Sequence, residues 1–150
     1  MRLALVGLAT LVLVPVALGW PGRPSTSPPK PPNPGGPPAA WIETQSKSAW
    51  LAFGSYCWTT GGVGACVDLI PPQSRPGLPV FRVKRGRTVR VHLGFGAKSA
   101  SVSVGARVVR TRLAASRRIL SWSARRGGIL TVFARPSAGD ASYVARLRLG

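Results

Sequence analysis

Residues 41–150 are a succession of short runs rich in Val, Leu, Ile and aromatics, most of them closed by Gly or Pro. The runs fall at 50–58, 65–70, 80–83, 88–95, 101–104, 106–113, 118–123, 129–134 and 142–149. Between them stand Gly61-Gly62, Pro71-Pro72, Arg75-Pro76-Gly77, Lys84-Arg85-Gly86, Gly127-Gly128 and the segment 136–140. Two runs alternate cleanly. Val89, Val91, Leu93 and Phe95 share one face, against Thr88, Arg90 and His92. Tyr143, Ala145, Leu147 and Leu149 share another, against Ser142, Val144, Arg146 and Arg148. A period of two with one polar face marks antiparallel strands covering a core. Seven to nine such strands predict an all-β chain folded as one antiparallel β-sandwich. Roughly 110 residues suffice for one domain with its own core. The single helix-tempting stretch, 108–116, lacks a clear cap and sits among strands, so it reads as strand or loop.

The first forty residues differ from the rest. Met1-Arg2 is a short basic head, residues 3–18 are nearly all apolar, and Ala17-Leu18-Gly19 places small residues before Trp20. That is the layout of a secretory signal peptide, expected at 1–19. The rival is an uncleaved signal anchor that leaves the domain tethered to a membrane. Against it stand a run shorter than the ~20 residues of a spanning helix and the helix-breaking Pro15 near its end. Trp20 rather than Cys follows the cleavage point, so lipid attachment there has no thiol. Residues 20–40 are dominated by Pro, Gly, Ser, Thr and Asn and read as a disordered linker ahead of a domain at 41–150. The alternative is a recognition segment for an aromatic groove, suggested by Pro28-Pro29-Lys30-Pro31-Pro32. The expected location is secreted or extracytoplasmic.

Cys57 and Cys66 are the only cysteines, separated by a glycine-rich stretch. In an exported chain they predict a structural disulfide. The spacing is not CxxC, and one His with three acids leaves too few ligands for a metal site, so no metal is expected.

Three strings, Gly54-Ser55-Tyr56-Cys57-Trp58, Cys66-Val67-Asp68 and Gly139-Asp140-Ala141-Ser142-Tyr143, resemble a small uncharacterised domain of exported bacterial proteins. The resemblance covers roughly residues 50–150 and implies an Ig-like sandwich and an exported location; it brings no activity. Tyr56 and Trp58 are expected to flank Cys57 on the opposite face, as aromatics covering a disulfide. Asp68 is expected to find a buried structural partner, such as a turn it caps or an Arg, and Asp140 is expected in a turn.

The charge is +18, from 21 Lys and Arg against 3 Asp and Glu. Most of it lies beyond Pro72, and several arginines fall on polar strand faces. The candidate anion-binding residues are Arg82, Lys84, Arg85, Arg87, Arg90, Arg146 and Arg148. Arginine's planar fork of donors suits phosphate and carboxylate. Expected partners are an anionic cell-envelope polymer, an acidic lipid surface or an envelope protein; export argues against genomic DNA. The bland reading is that compositional bias fills exposed positions with Arg. Phe81, Phe95, Trp122, Phe133, Tyr143, Trp41 and Trp50 are expected to pack in the core rather than stack on bases.

Catalysis finds few groups to use. His92, the sole histidine, shares a face with Arg90 and is expected to be solvated. No Gly-x-Ser-x-Gly turn or phosphate-cradling Gly-Lys-Ser/Thr loop is present. Paired carboxylates would have to come from Glu43, Asp68 and Asp140 alone. The sequence therefore predicts no enzyme and no cofactor. The function expected is binding at the cell exterior, the alternative being a structural or sensing accessory that docks a protein by strand edge or loop.

Overall fold

The computed structural model describes residues 19–150; the signal peptide expected at 1–19 lies, but for Gly19, outside the described residues. Eleven strands follow one another: β1 Trp41–Glu43, β2 Ser48–Trp50, β3 Ala52–Thr60, β4 Val63–Val67, β5 Val80–Val83, β6 Thr88–His92, β7 Ser99–Val104, β8 Arg107–Arg110, β9 Ile119–Ser123, β10 Gly128–Arg135 and β11 Gly139–Leu149. They form two sheets packed as a β-sandwich. One has the order β2-β1-β6-β9; the other has the order β4-β3-β11-β10-β7-β8, with β5 beside the far half of β11. Every pairing is antiparallel except β5–β11.

Alternation places the core. Ile42, Val89, Val91, Leu120 and Trp122 from the first sheet meet Phe53, Val102, Val104, Leu130, Val132 and Tyr143 from the second, all buried. Arg90 and His92 point to the other face of β6, as a period of two requires.

Eleven strands exceed the seven to nine expected, and the reason is local. The run 50–58 is two strands in different sheets. Trp50 pairs with Trp41 in the first sheet, whereas Ala52 pairs with Val144 in the second. The crossing residue is Leu51, buried, its N–H bonded to Ala40 O at 2.9 Å. Three-residue β1 is too short to show a period.

The three motif strings converge on one patch of β4, β3 and β11. Cys57 stands opposite Cys66 across β3–β4, with Cα atoms 4.0 Å apart and the disulfide closed. Across β3–β11, Cys57 faces Asp140, Trp58 faces Gly139 and Tyr56 faces Ala141, and the register then slips by one residue before Tyr143 meets Phe53. A Cβ on Gly54 would stand 2.3 Å from Ser142 Oγ, so the bulge needs glycine there. Ser142 Oγ donates to Ser55 O at 2.8 Å, and Ser55 Oγ in turn donates to Asp68 Oδ1 at 2.9 Å.

Two expectations about this patch are corrected. Tyr56 and Trp58 do stand on the face opposite Cys57, but that face is the core side, Trp58 against Phe95 at 5.0 Å, and both cysteines are exposed, so neither ring covers the disulfide. Asp68 is exposed and pairs with Ser55 rather than with a buried partner or an arginine. Asp140 is the second residue of β11, just past the turn, and its Oδ1 accepts from Cys57 N at 3.3 Å.

An exposed cross-strand bridge acts mainly on the unfolded chain. Replacing both Cys57 and Cys66 by Ser is expected to cost about 2.5–3 kcal/mol, the entropy of closing so short a loop. Urea unfolding of oxidised protein and double variant measures it; the sandwich should survive, since neither sulfur fills the core.

Candidate anion-binding site

Two turns meet at one end of the sandwich. The β1–β2 turn is closed by Thr44 N–H donating to Lys47 O at 2.9 Å, with Thr44 Oγ1 and Ser46 Oγ 3.3 Å apart. The β5–β6 turn is closed by Arg87 N–H donating to Lys84 O at 3.1 Å, with Gly86 at φ 80° in the left-handed region. Gly86 N and Ala124 N each donate across to the neighbouring turn, to Ala124 O and Arg87 O, and fix it against β9.

Between these turns lies an open hollow of about 660 Å³, whose walls include Thr44, Ser46, Lys47, Arg82, Lys84 and Arg87. It presents four cationic side chains and three hydroxyls, those of Thr44, Ser46 and Thr88. No aspartate or glutamate lines it. The three acids of the chain are engaged elsewhere: Glu43 with His92, Asp68 with Ser55 and Asp140 with Cys57. The His92–Glu43 contact is the one contact between a basic side chain and an Asp or Glu among the described residues, so the cations of the hollow have no Asp or Glu partner. Converging like charges repel, and an anion between them removes that cost while gaining charge-assisted hydrogen bonds.

The seven arginines and lysines singled out from sequence are dispersed. Arg82, Lys84 and Arg87 line the hollow. Arg85 turns away, its guanidinium donating to Arg125 O at 2.9 Å. Arg90 is on the outer face of the four-stranded sheet, 3.6 Å over the Trp20 ring. Arg148 is exposed on β11 in register with Arg82 of β5 but is not part of the hollow's wall; Arg146 lies two residues back along the same strand. Lys47 was missing from the sequence reading because it stands alone in a polar segment, with no neighbouring charge to mark it. Its Nζ rests 5.0 Å from the Phe81 ring centroid.

The linker does not stand free. Trp20 to Pro38 runs along the sandwich through a series of hydrogen bonds. Gly22 N donates to Glu43 Oε2 at 3.1 Å, Trp50 Nε1 to Thr26 O at 2.8 Å, and Asn33 N to the Tyr56 hydroxyl at 3.1 Å. Thr60 Oγ1 donates to Gly35 O at 2.7 Å and the Tyr143 hydroxyl to Pro38 O at 2.6 Å. Burial raises the Tyr143 phenol above its ordinary pKa, so it stays protonated and keeps that donor. A proline-rich run has few N–H groups but a full set of carbonyls, which is why the domain mostly donates to it.

This segment bears on four residues of the outer face. Glu43 is 1% exposed beneath it. His92 is not solvated: its Nε2 lies 2.6 Å from Glu43 Oε1, and its ring stacks on Trp41 at 4.7 Å, nearly parallel. Trp41 and Trp50 lie on the outer face, half-buried, rather than in the core. Phe81, Phe95, Trp122 and Tyr143 are core residues as expected, whereas Phe133 sits half-buried on an outer face with Arg135 over its ring.

No group of three or more His, Cys, Asp or Glu among the described residues is placed to hold a metal, and no described helix is long and apolar enough to cross a membrane. Comparison with protein-family models, curated proteins and solved structures finds no match to the chain.

Proposed function

We propose that this chain is an exported, non-enzymatic binding module that holds anionic polymers or surfaces outside the cytoplasm through the hollow at Lys47, Arg82, Lys84 and Arg87. The observation that carries the reading is the convergence of these four cations with no Asp or Glu side chain among them. The disulfide supports an oxidising location. The kinship with exported Ig-like domains belongs to the same reading, on the three strings that meet across β4, β3 and β11. The partner class is a phosphate-bearing or carboxylate-bearing polymer, or an acidic lipid surface. A second reading, protein docking by a strand edge, is favoured by one feature. Strand β4 has a neighbour on one side only, and Val63 at its start and Ile70 three residues past its end are 73% and 61% exposed.

Salt separates the two. Binding to long-chain polyphosphate is expected to weaken with a log–log slope of about −3 to −4, as four neutralised contacts require. Between ~50 and ~200 mM salt that is roughly a 10²-fold loss. Fluorescence anisotropy of a labelled polymer measures the slope, and a slope near zero contradicts the anionic reading.

A further inference from the structure

A proline-rich segment lying in a groove of aromatic side chains, with indole and phenol groups donating to its carbonyls, is how receptors for extended proline-rich peptides work. Here receptor and ligand are one chain. Trp50 donates its indole N–H to Thr26 O, and the Arg23 guanidinium lies 5.0 Å over the Trp50 ring. Trp20 lies over Arg90, and Glu43 takes the Gly22 N–H. Each contact is reciprocal between the segment and the outer face of β1, β2 and β6.

The fit has one loose end. The Trp41 indole N–H is buried beside Trp50, ring centroids 5.9 Å apart, and has no acceptor among the described residues. A buried donor without a partner costs about 1–3 kcal/mol. A carbonyl of the same kind of segment, seated slightly differently, would recover that cost.

We propose that the outer face of the four-stranded sheet is a binding site for proline-rich extended peptide, self-occupied by residues 20–26, and that its partner in trans is the same segment of a second copy. The segment is held by single hydrogen bonds and two cation–π contacts rather than by ladder pairing, so it can leave without breaking either sheet. Its competitor is its own tether, which keeps the local segment at an effective concentration on the order of millimolar. Weakening the tethered copy should therefore open the site to an added one.

The test uses the full chain carrying Trp20→Ala and Arg23→Ala, which alters the segment and leaves the groove intact. The probe is a synthetic peptide with the sequence of residues 20–34, titrated by calorimetry. We expect it to bind the variant at least about tenfold more tightly than the unaltered chain. Adding Trp50→Phe, which removes the indole N–H from a half-buried position, should abolish that binding. A scrambled peptide of the same composition should not bind. In the unaltered chain, spin-labelled peptide in excess should broaden the Trp50 indole N–H resonance before those of the other tryptophans. No binding to the variant, equal binding of the scrambled peptide, or binding unaffected by Trp50→Phe overturns the proposal, as does uniform broadening of all indole signals. Failure of polyphosphate binding would leave these outcomes unchanged, because the hollow lies beyond this face.

Discussion

Gly139→Ala should cost about 3–5 kcal/mol, among the largest losses a single methyl can cause. A Cβ at this position would stand 2.1 Å from Cys57 O and 3.0 Å from Cys57 C, both backbone atoms that cannot rotate aside. Gly139 also has φ 139°, where a side chain is strained in any case. The residue opens β11 and pairs with Trp58, so relief requires opening the β3–β11 ladder beside the disulfide. Gly86→Ala is the control. It too has positive φ, at 80°, but nothing lies within 4 Å of its Cβ, so it should lose only about 1 kcal/mol. Urea unfolding of the two variants checks the difference. Equal losses would mean that conformation alone, not the approach of β3, fixes Gly139.

Reversing the hollow should have the largest effect on binding. With Lys47, Arg82, Lys84 and Arg87 all changed to Glu, affinity for polyphosphate at ~50 mM salt is expected to fall at least about 10²-fold, and the salt slope to approach zero. All four side chains except Lys47, which rests against Phe81, project from turns or outer strand faces, so the fold should hold. The matched control reverses Arg107, Arg110, Arg112 and Arg118, which lie at and beyond β8, away from the hollow. It changes net charge equally. A loss as large in the control would assign the attraction to overall charge rather than to this convergence.

The strands were legible because alternation reports burial directly. Val89, Val91 and Leu93, or Tyr143, Ala145 and Leu147, declare their face in the sequence and keep it in the fold. The sheet change at Leu51 was not legible. An apolar residue between two strands carries no sign that its neighbours hydrogen-bond in different sheets. The disulfide followed from two cysteines in a chain expected to be exported, while its exposure depended on which face of β3 turns outward. Of the candidate site, Arg82, Lys84 and Arg87 were visible as a charge cluster flanking one turn. Lys47 was not, because its contribution comes from a second turn brought alongside by the β1–β6 pairing. The linker was the largest departure. Composition reports that a proline-rich run cannot form a core of its own, and says nothing of aromatic donors elsewhere that can hold it. Glu43 and His92 changed character with it: a lone exposed histidine by pattern is half-covered and paired once residues 20–26 lie over that face.

Amide chemical-shift mapping during titration with short-chain polyphosphate tests the basic hollow most directly. The predicted result is a single cluster of shifted resonances at residues 44–47 and 82–88, saturating together. Shifts spread evenly over the arginines of 107–126, or a cluster along β4 at 63–70, would contradict it.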